Sequence, residues 1–223
     1  MYHFVDKAEI KQFKSTSSRI LECTRDYLKE EYGIIGQFAL VGSGRRNLVT
    51  QNGNGLYDLD YNLQVVKMPD KYWANLGLFK ETVRTALNKT VKGTHFVDGR
   101  DSTSVITTLW FNDKPNVKAG IDVAILAQNP EGTWCRLIHN KSLSLYGSQG
   151  QYTWCEVPSS KDVAKKDHEI KNYGQWKQVR DVYLDLKNLY FERQDLNHPS
   201  FVCYVEAVNQ VYYQLFGKGG NRR

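Results

Sequence analysis

The sequence predicts an α+β fold, in which a mixed β-sheet flanked by helices is followed by a C-terminal helical bundle. Two observations carry this prediction. Up to about residue 157, short apolar runs and strict polar–apolar alternation indicate strands between two helices. After Pro158, apolar residues recur at intervals of three and four, which is the spacing of amphipathic helices. We therefore expect two domains, at 1–157 and 158–223.

The first predicted element is a helix from about Asp6 to Gly33. Asp6 followed by Glu9 resembles a capping box, and Gly33 is a natural stop. Apolar residues recur between them at helical spacing: Ile10, Phe13, Ile20, Leu21 and Leu28. The stretch 34–43 is a short apolar run that ends at a Gly-Ser turn, and it predicts a buried strand.

Further strands and one helix are predicted before residue 140. The segment 57–66 alternates strictly, 104–111 and 117–126 are rich in β-forming residues, and another strand follows the turn at 129–132. A helix is expected over 70–90. Its apolar face would be formed by Trp73, Leu76, Phe79, Val83 and Leu87.

Two amphipathic helices are predicted near the C-terminus. The first would bury Trp176, Val179, Tyr183, Leu186 and Tyr190, and the second Phe201, Val205, Val208, Tyr212 and Leu215. Pro199 suits the first turn of the last helix and Gly217 its end. Aromatic residues of the first helix could also stack a base, although their spacing favours a packed core.

Composition narrows the class of protein. Net charge is +6, which suits an anionic partner such as nucleotide or RNA and equally a solubilising surface. No segment approaches the roughly 18 apolar residues of a membrane span, and the N-terminus lacks the features of a secretion signal. The four cysteines lie far apart without metal-ligand spacing. We expect a cytoplasmic protein with reduced thiols and no membrane association.

Asp58 and Asp60 are the first candidates for chemistry. On a strand, residues two apart point to the same face, at a separation of roughly 6.5–7 Å. Two carboxylates on one rigid edge can chelate a hard cation such as Mg²⁺, which prefers oxygen ligands. The alternative is an ordinary half-exposed strand with a polar outer face.

The run of residues 42–46 (GSGRR) is the second candidate. A Gly-rich turn that opens a helix exposes backbone N–H groups that can cradle phosphate oxygens. Ser43 adds a hydroxyl donor, and Arg45 and Arg46 add positive charge. Taken alone, this is a common turn.

Asp122 is the third candidate. Within its predicted strand, Ile121, Val123 and Ile125 face one way and Asp122 faces the other. A carboxylate in an otherwise apolar strand is costly to bury without a partner or a metal. An edge strand whose Asp122 reaches water is the alternative.

Together these motifs resemble the DNA polymerase β-like nucleotidyltransferase superfamily. Its pattern is a hydrophobic residue with Gly-Ser, a spacer, and then Asp-hydrophobic-Asp-hydrophobic. Residues 41–43 (VGS) and 58–61 (DLDY) match this pattern, and 121–123 (IDV) matches the third acidic motif. The spacer 44–57 has 14 residues, at or slightly beyond the long end of the expected range. The resemblance covers roughly 34–126, while the C-terminal helices match only in placement.

The resemblance implies a nucleotidyltransferase-type sheet and a two-metal enzyme that moves a nucleoside monophosphate from an NTP to a hydroxyl and releases pyrophosphate. Asp58 and Asp60 would bind the Mg²⁺ or Mn²⁺ that carries the triphosphate. Asp122 would complete the second metal site, where the acceptor hydroxyl is activated. Catalysis would then consist mainly of positioning and charge neutralisation.

The same resemblance implies that Gly42 and Ser43 hold the β- and γ-phosphates of the NTP. Arg45 and Arg46 would touch phosphate, or else form a solvated helix start. The acceptor stays open: a small molecule, another nucleotide, an RNA end or a protein side chain. Two alternative functions also stay open. One is a non-catalytic or partner-regulated binding module, as in toxin–antitoxin pairs, and the other is a nucleic-acid binder that uses the basic helical part.

Overall fold

The computed structural model describes residues 1–111, 117–140, 151–158, 160–195 and 198–217. In chain order its elements are β1 (Tyr2–Phe4), α1 (Lys7–Tyr32), β2 (Ile35–Leu40), α2 (Gly42–Arg46), β3 (Thr50–Asn52), β4 (Tyr57–Lys67), α3 (Asp70–Ala74), α4 (Leu76–Val91), β5 (Arg100–Asp101), β6 (Ile106–Phe111), β7 (Val117–Gln128), β8 (Trp134–His139), β9 (Tyr152–Glu156), α5 (Lys161–Asn172), α6 (Trp176–Glu192) and α7 (Ser200–Phe216). The predicted α+β class with helices at the C-terminal end is confirmed.

The chain forms two compact units. The larger unit, called the sheet unit here, comprises Asp6–Val49 and Gly55–Val157. The smaller, called the helical unit here, comprises Met1–Val5, Thr50–Asn54 and Pro158–Arg223. The two domains at 1–157 and 158–223 stay a prediction, since compactness does not show which segments fold independently.

The sheet unit is built on a mixed sheet. Its strands follow the order β2-β4-β7-β6-β5, with β8 paired to β7 and β9 paired to β8. The pair β4 and β7 is parallel, and the other pairs are antiparallel. The two longest strands therefore lie side by side in the interior of the sheet and run in the same direction.

Helix α1 has the predicted bounds. The Asp6 carboxylate accepts the backbone N–H groups of Ala8 and Glu9, and Gly33 ends the helix at φ +66°. The reciprocal half of the capping box does not form. Glu9 instead pairs with Lys118 of β7 at 2.8 Å, which joins the start of α1 to the sheet.

Helix α1 covers the apolar face of β4. The Phe13 ring packs edge-on against Tyr57 at 5.8 Å, and the Ser17 hydroxyl lies 2.8 Å from that of Tyr61. Along β4, odd-numbered residues from Tyr57 to Val65 are buried and the polar residues between them are only partly buried. One face of the sheet is therefore core, and the opposite face carries the acidic residues.

Strand β2 was predicted as buried but lies at the edge of the sheet, where its residues are exposed or half-buried. An apolar run alone does not distinguish an edge strand from a central one, because neighbours decide burial. Strand β9 and the short β1–β3 pair were not predicted. They lack a long alternating pattern, and pairing to β8 or to each other defines them.

The single helix predicted over 70–90 is wrong. The helix is interrupted at Asn75, which separates α3 from α4. The Asn75 side chain caps α4 by accepting the N–H of Leu78. The break turns Trp73 outward at 46% exposure, and the buried aromatic residue is Tyr72. Capping by Asn75 therefore outweighs the continuous apolar period.

The helical unit packs α6 against α7 and α5 against α7. Val179 and Tyr183 of α6 are buried as predicted. In α7, Val208 is buried as predicted, but Phe201 is half exposed. The buried stripe consists of Cys203, Tyr204, Ala207, Val208 and Val211. Small residues on this stripe allow close helix packing, so hydrophobic period alone predicted only part of the buried face.

The backbone of Tyr2 in β1 is bound by the Asn188 side chain of α6 through two hydrogen bonds of 2.6 and 3.1 Å. This contact fixes the β1–β3 pair to the helices of the unit. None of the helices in the described part of the chain combines the length and apolarity that crossing a membrane requires.

Candidate active site

Two of the predicted acidic residues lie directly side by side. In the parallel register of β4 and β7, Asp60 is opposite Asp122, and Asp58 is opposite Gly120. Residues in register on neighbouring strands share a face, so all three carboxylates project from the face opposite α1. The sheet thus brings Asp58, Asp60 and Asp122 together on one face; the period-two pattern predicted the shared face of Asp58 and Asp60.

Two glycines leave room for these carboxylates. A Cβ on Gly120 would lie 2.3 Å from Oδ1 of Asp58, and a Cβ on Gly42 would lie 2.1 Å from Oδ2 of Asp60. Gly42 also has φ +59°, which side chains rarely adopt. The Val41 N–H donates to the Asp60 carbonyl at 2.8 Å, so the Gly-Ser turn is joined directly to the acidic strand.

The short helix α2 contains the Gly-Ser turn for which phosphate binding stays a prediction. Its first backbone N–H groups, at Gly42 and Ser43, precede any intrahelical partner. The Arg46 guanidinium donates to the Gly42 carbonyl at 3.0 Å, and its charge acts on Asp60. Arg45 is exposed, so of the two arginines the structure brings only Arg46 to the acidic residues.

A lysine of α1 supports the same turn. Lys14 donates from Nζ to the Gly44 carbonyl at 2.5 Å, and burial lowers the pKa of this amine. Gly44 is itself buried against Leu59 and Leu40, where a Cβ would approach to 2.9 and 3.0 Å. The turn therefore packs on Leu40 and Leu59, and the Lys14 ammonium binds its carbonyl oxygen at Gly44.

Burial disfavours the ionised form of all three carboxylates. Burial, and then the charges of Asp122 and Asp60, raise the pKa of Asp58 to about 6. Burial also raises the pKa of Asp60 and of Asp122, and the charge of Asp122 raises that of Asp60 further. Two cations, Arg136 and then Arg46, act in the opposite direction on Asp60. Clustered carboxylates in a partly desolvated site favour a cation between them.

These residues fit divalent metal ions by chemistry. Oδ1 of Asp58 is buried and has no hydrogen-bond partner within the described residues, and carboxylate oxygens are the ligands that Mg²⁺ prefers. As the side chains stand, no group of three His, Cys, Asp or Glu residues in the described ranges is arranged to hold an ion. Thr107 of β6 holds the Asp122 carboxylate through a hydrogen bond. Convergence of the three carboxylates on bridged cations stays a prediction.

Sequence reasoning missed two residues of this face. Thr107 lies opposite Asp122 on β6, and Arg136 lies on β8. Both occur within segments predicted as strands, but no motif marks them. Only the pairing of β6 and β8 with the same edge of β7 brings them to the acidic residues.

The helical unit contains a separate pocket of about 510 Å³. It is lined by Tyr2, Lys187, Tyr190, Phe191, Gln194, Asp195, His198, Pro199 and Ser200. Lys187 donates to the Ser200 hydroxyl at 3.0 Å and lies 4.0 Å from the Tyr2 ring centre, and burial lowers its pKa. Tyr190 stacks on His198 at 3.6 Å. A cation, a hydroxyl and aromatic rings thus line one pocket.

The mixed sheet flanked by helices is the α+β arrangement that the sequence predicted. No protein-family model and no curated protein matches the chain by sequence. Comparison with solved structures shows the fold instead.

Three similar structures illustrate the likeness. A Vibrio cholerae DncV cyclic AMP-GMP synthase is 13% identical, with 82% of this chain and 61% of that chain covered and a TM-score of 0.55. The same enzyme in complex with the linear intermediate 5′ pppA(3′,5′)pG is 12% identical, with 98% and 70% covered and a TM-score of 0.62. The Escherichia coli MS115-1 CdnC:HORMA-deltaN complex is 14% identical, with 97% and 61% covered and a TM-score of 0.58. The chain spans 61–70% of the length of these three structures.

Proposed function

We propose that this protein is a metal-dependent nucleotidyltransferase that transfers a nucleoside monophosphate from an NTP to an acceptor hydroxyl. One observation carries the proposal: Asp60 and Asp122 lie in register on parallel strands, with Asp58 beside them and the Gly42 turn against Asp60. This arrangement combines a cation-binding face with a phosphate-binding turn. Few other chemistries require both on one face of a sheet.

In this proposal Asp58 and Asp60 bind the Mg²⁺ or Mn²⁺ that accompanies the triphosphate, and Asp122 completes a second metal site. The bound cations would neutralise charge on the attacking and leaving oxygens. The acceptor oxygen forms a bond to the α-phosphorus while the bond from the α-phosphorus to the bridging oxygen breaks, and pyrophosphate leaves. The hydroxyl proton passes to the Asp122 carboxylate, which Thr107 orients.

The phosphates would be held by the N–H groups of Gly42 and Ser43 and by the charge of Arg46. Arg45 is exposed and has less support as a phosphate ligand. As a separate proposal, the pocket within the helical unit binds an anion such as a nucleotide phosphate, because Lys187 and Ser200 can bind an anion and Tyr190 offers an aromatic face.

A second nucleotide is the acceptor that we propose. DncV is described as a cyclic AMP-GMP synthase and was captured with a linear 3′,5′-linked intermediate, and its fold covers nearly all of this chain. The acceptor group would then be a 3′-hydroxyl. A small molecule or an RNA end as acceptor gives a different product in the same assay.

The decisive experiment incubates the protein with each α-labelled NTP and either Mg²⁺ or Mn²⁺, with and without cellular RNA. Label in a dinucleotide supports a nucleotide acceptor, and label in RNA or in a small adduct assigns those acceptors instead. Absence of any labelled product with either metal, while Asp58→Ala binds metal and NTP as tightly as the wild type, would contradict the proposal.

Partner regulation is the second candidate, favoured by the similarity to CdnC, whose structure is that of a complex with HORMA-deltaN. Partner regulation would be supported if this protein binds NTP and metal by itself but transfers label only when a partner protein is added. The cytoplasm is the location that we propose, because the NTP substrates are found there.

A further inference from the structure

Arg136 lies on the same face of the sheet as the acidic residues. In the antiparallel pair of β7 and β8 it is opposite Leu126, and residues directly opposite share a face. Leu126 shares its face with Ala124 and Asp122, because side chains alternate along a strand. The neighbours of Arg136 on β8, Cys135 and Leu137, point into the core.

The guanidinium of Arg136 acts on Asp60 across β7. Among the cations that lower the pKa of Asp60, Arg136 has the larger effect and Arg46 the smaller. The alternating strand β7 presents only the small residue Ala124 on this face between Asp122 and Leu126. A long side chain starting from β8 can therefore extend across β7 toward β4.

Arg136 nevertheless has unsatisfied hydrogen-bonding capacity. Its Nε–H is buried and has no acceptor within the described residues. Leaving a buried, charged N–H without an acceptor is unfavourable. A residue whose only task was to neutralise Asp60 would form a direct ion pair, and the ion pairs of the described residues do not include one with Arg136.

We propose that Arg136 is a substrate-binding residue whose guanidinium binds a phosphate group of the substrate on the acidic face. This inference rests on the proposed function and assigns to it a residue outside the Gly-Ser turn. Arginine suits the task because its planar fork of N–H groups matches two phosphate oxygens and stays charged at all relevant pH values. Its position near Asp60 favours a phosphate of the NTP triphosphate over a phosphate of the acceptor.

The test compares Arg136→Met and Arg136→Lys with the wild type by isothermal titration calorimetry. Two probes are used in the presence of Mg²⁺: inorganic tripolyphosphate, which represents the donor, and a nucleoside monophosphate, which represents the acceptor. Arg25→Met is the matched control, because Arg25 is an exposed residue in a surface ion pair on α1, which covers the opposite face.

We expect Arg136→Met to raise the Kd for tripolyphosphate by roughly 10- to 100-fold, the effect of a lost hydrogen bond to a charged group. Arg136→Lys should recover only part of this loss, because an ammonium has charge but no fork. Arg25→Met should bind like the wild type. If the monophosphate is the probe that is weakened, Arg136 still binds phosphate, but on the acceptor.

Unchanged Kd values for both probes in Arg136→Met and Arg136→Lys would overturn the inference and leave the proposed function standing. A wild type that binds neither probe would instead contradict the proposed function. Thermal melting separates a structural role, since a merely structural Arg136 would lower Tm without changing Kd in the folded protein. Because Arg136→Lys keeps the charge beside Asp60, it provides the comparison if Arg136→Met folds poorly.

Discussion

Asp60 of β4 and Asp122 of β7 lie directly opposite each other on parallel strands, and the charge of Asp122 raises the pKa of Asp60. Two like charges in register destabilise a sheet unless something positive offsets them. We therefore propose that the acidic face binds cations and is not simply a solvated surface.

Asp60→Asn should abolish nucleotidyl transfer without lowering stability. We expect kcat to fall by roughly 10³-fold or more, as when a principal group that stabilises transition-state charge is removed. Tm should stay constant or rise, because one of three repelling carboxylates is removed. Label transfer from an α-labelled NTP and thermal melting measure the two effects. Asp98→Asn, at an exposed position, is the control. Loss of folding with unchanged activity per folded molecule would make Asp60 a structural residue.

The stability of the metal-free protein should depend on Asp58. Its pKa is raised from about 3.9 in the unfolded chain to about 6 in the folded protein. A raised pKa contributes stability that is fully present below the unfolded pKa and is lost as pH rises through the folded pKa. In EDTA, the wild type should therefore lose Tm relative to Asp58→Asn between about pH 4 and pH 7.

Saturating Mg²⁺ should reverse the order of these two proteins at pH 7, because a bound cation stabilises the ionised carboxylate. A difference in Tm between them that does not change with pH would show that Asp58 has an ordinary pKa. A difference in Tm between the two proteins that is the same with and without Mg²⁺ would show that Asp58 is not a metal ligand.

Gly42→Ala should disable the site by displacing Asp60. The new Cβ would lie 2.1 Å from Oδ2 of Asp60, so the carboxylate must move. A displacement of about 1 Å at a reacting centre costs roughly 10²-fold in rate, and we expect at least that loss in kcat/KM. The matched control is Gly53→Ala. Gly53 has a similar positive φ of +53° but no atom within 4 Å of the added Cβ. Equal loss of activity in both variants would assign the effect to backbone strain alone.

Asp101→Ala should destabilise the sheet unit strongly. Asp101 pairs at 2.6 Å with Lys80, whose side chain is only 3% exposed, and at 2.8 Å with His139. Its removal takes away one charged partner of the buried Lys80 ammonium, which also donates to the Ser102 carbonyl, at an expected cost of about 3–5 kcal/mol. Asp26→Ala is the control, because its pair with Arg25 is exposed and should contribute at most about 1 kcal/mol. Urea unfolding measures both, and similar losses would mean that Lys80 finds another partner.

Lys187→Gln should weaken binding of an NTP to the pocket within the helical unit, without unfolding the protein. Lys187 lines this pocket and donates to the Ser200 hydroxyl. Loss of one charged hydrogen bond should raise the Kd for NTP by roughly 10-fold or more. Lys177→Gln on the same helix is exposed and serves as the control. Fluorescence binding with a labelled NTP is the measurement, and equal affinity of both variants would remove the pocket from the proposed function.

Local sequence pattern was sufficient for the acidic strand and its neighbours. Strict alternation at 57–66 places Asp58 and Asp60 on one face, and α1 begins and ends where its cap residues Asp6 and Gly33 indicate. These features depend only on backbone period and local hydrogen bonds, which a short window of sequence contains. The motif spacing also predicted the fold that the solved structures share.

Other features depended on which segments become neighbours. Asn75 breaks the predicted helix because its cap competes with a continuous apolar period. Strand β2 is half-exposed because it forms the edge of the sheet. In α7 the small residues Cys203 and Ala207 face inward, since close packing of helices decides the buried stripe. Hydrophobic pattern contains none of this information.

The sequence by itself determined the residue types and local geometry of the site: paired carboxylates two apart, a third on another strand, and a Gly-Ser turn. Only the tertiary structure decided that Asp122 lies opposite Asp60, that Thr107 holds Asp122, and that Arg136 reaches the same face. The physical reason is that strand register and strand order arise from long-range pairing of backbone groups and from burial of one sheet face. Period-two alternation specifies a side chain's face, whereas pairing specifies which neighbours that face has.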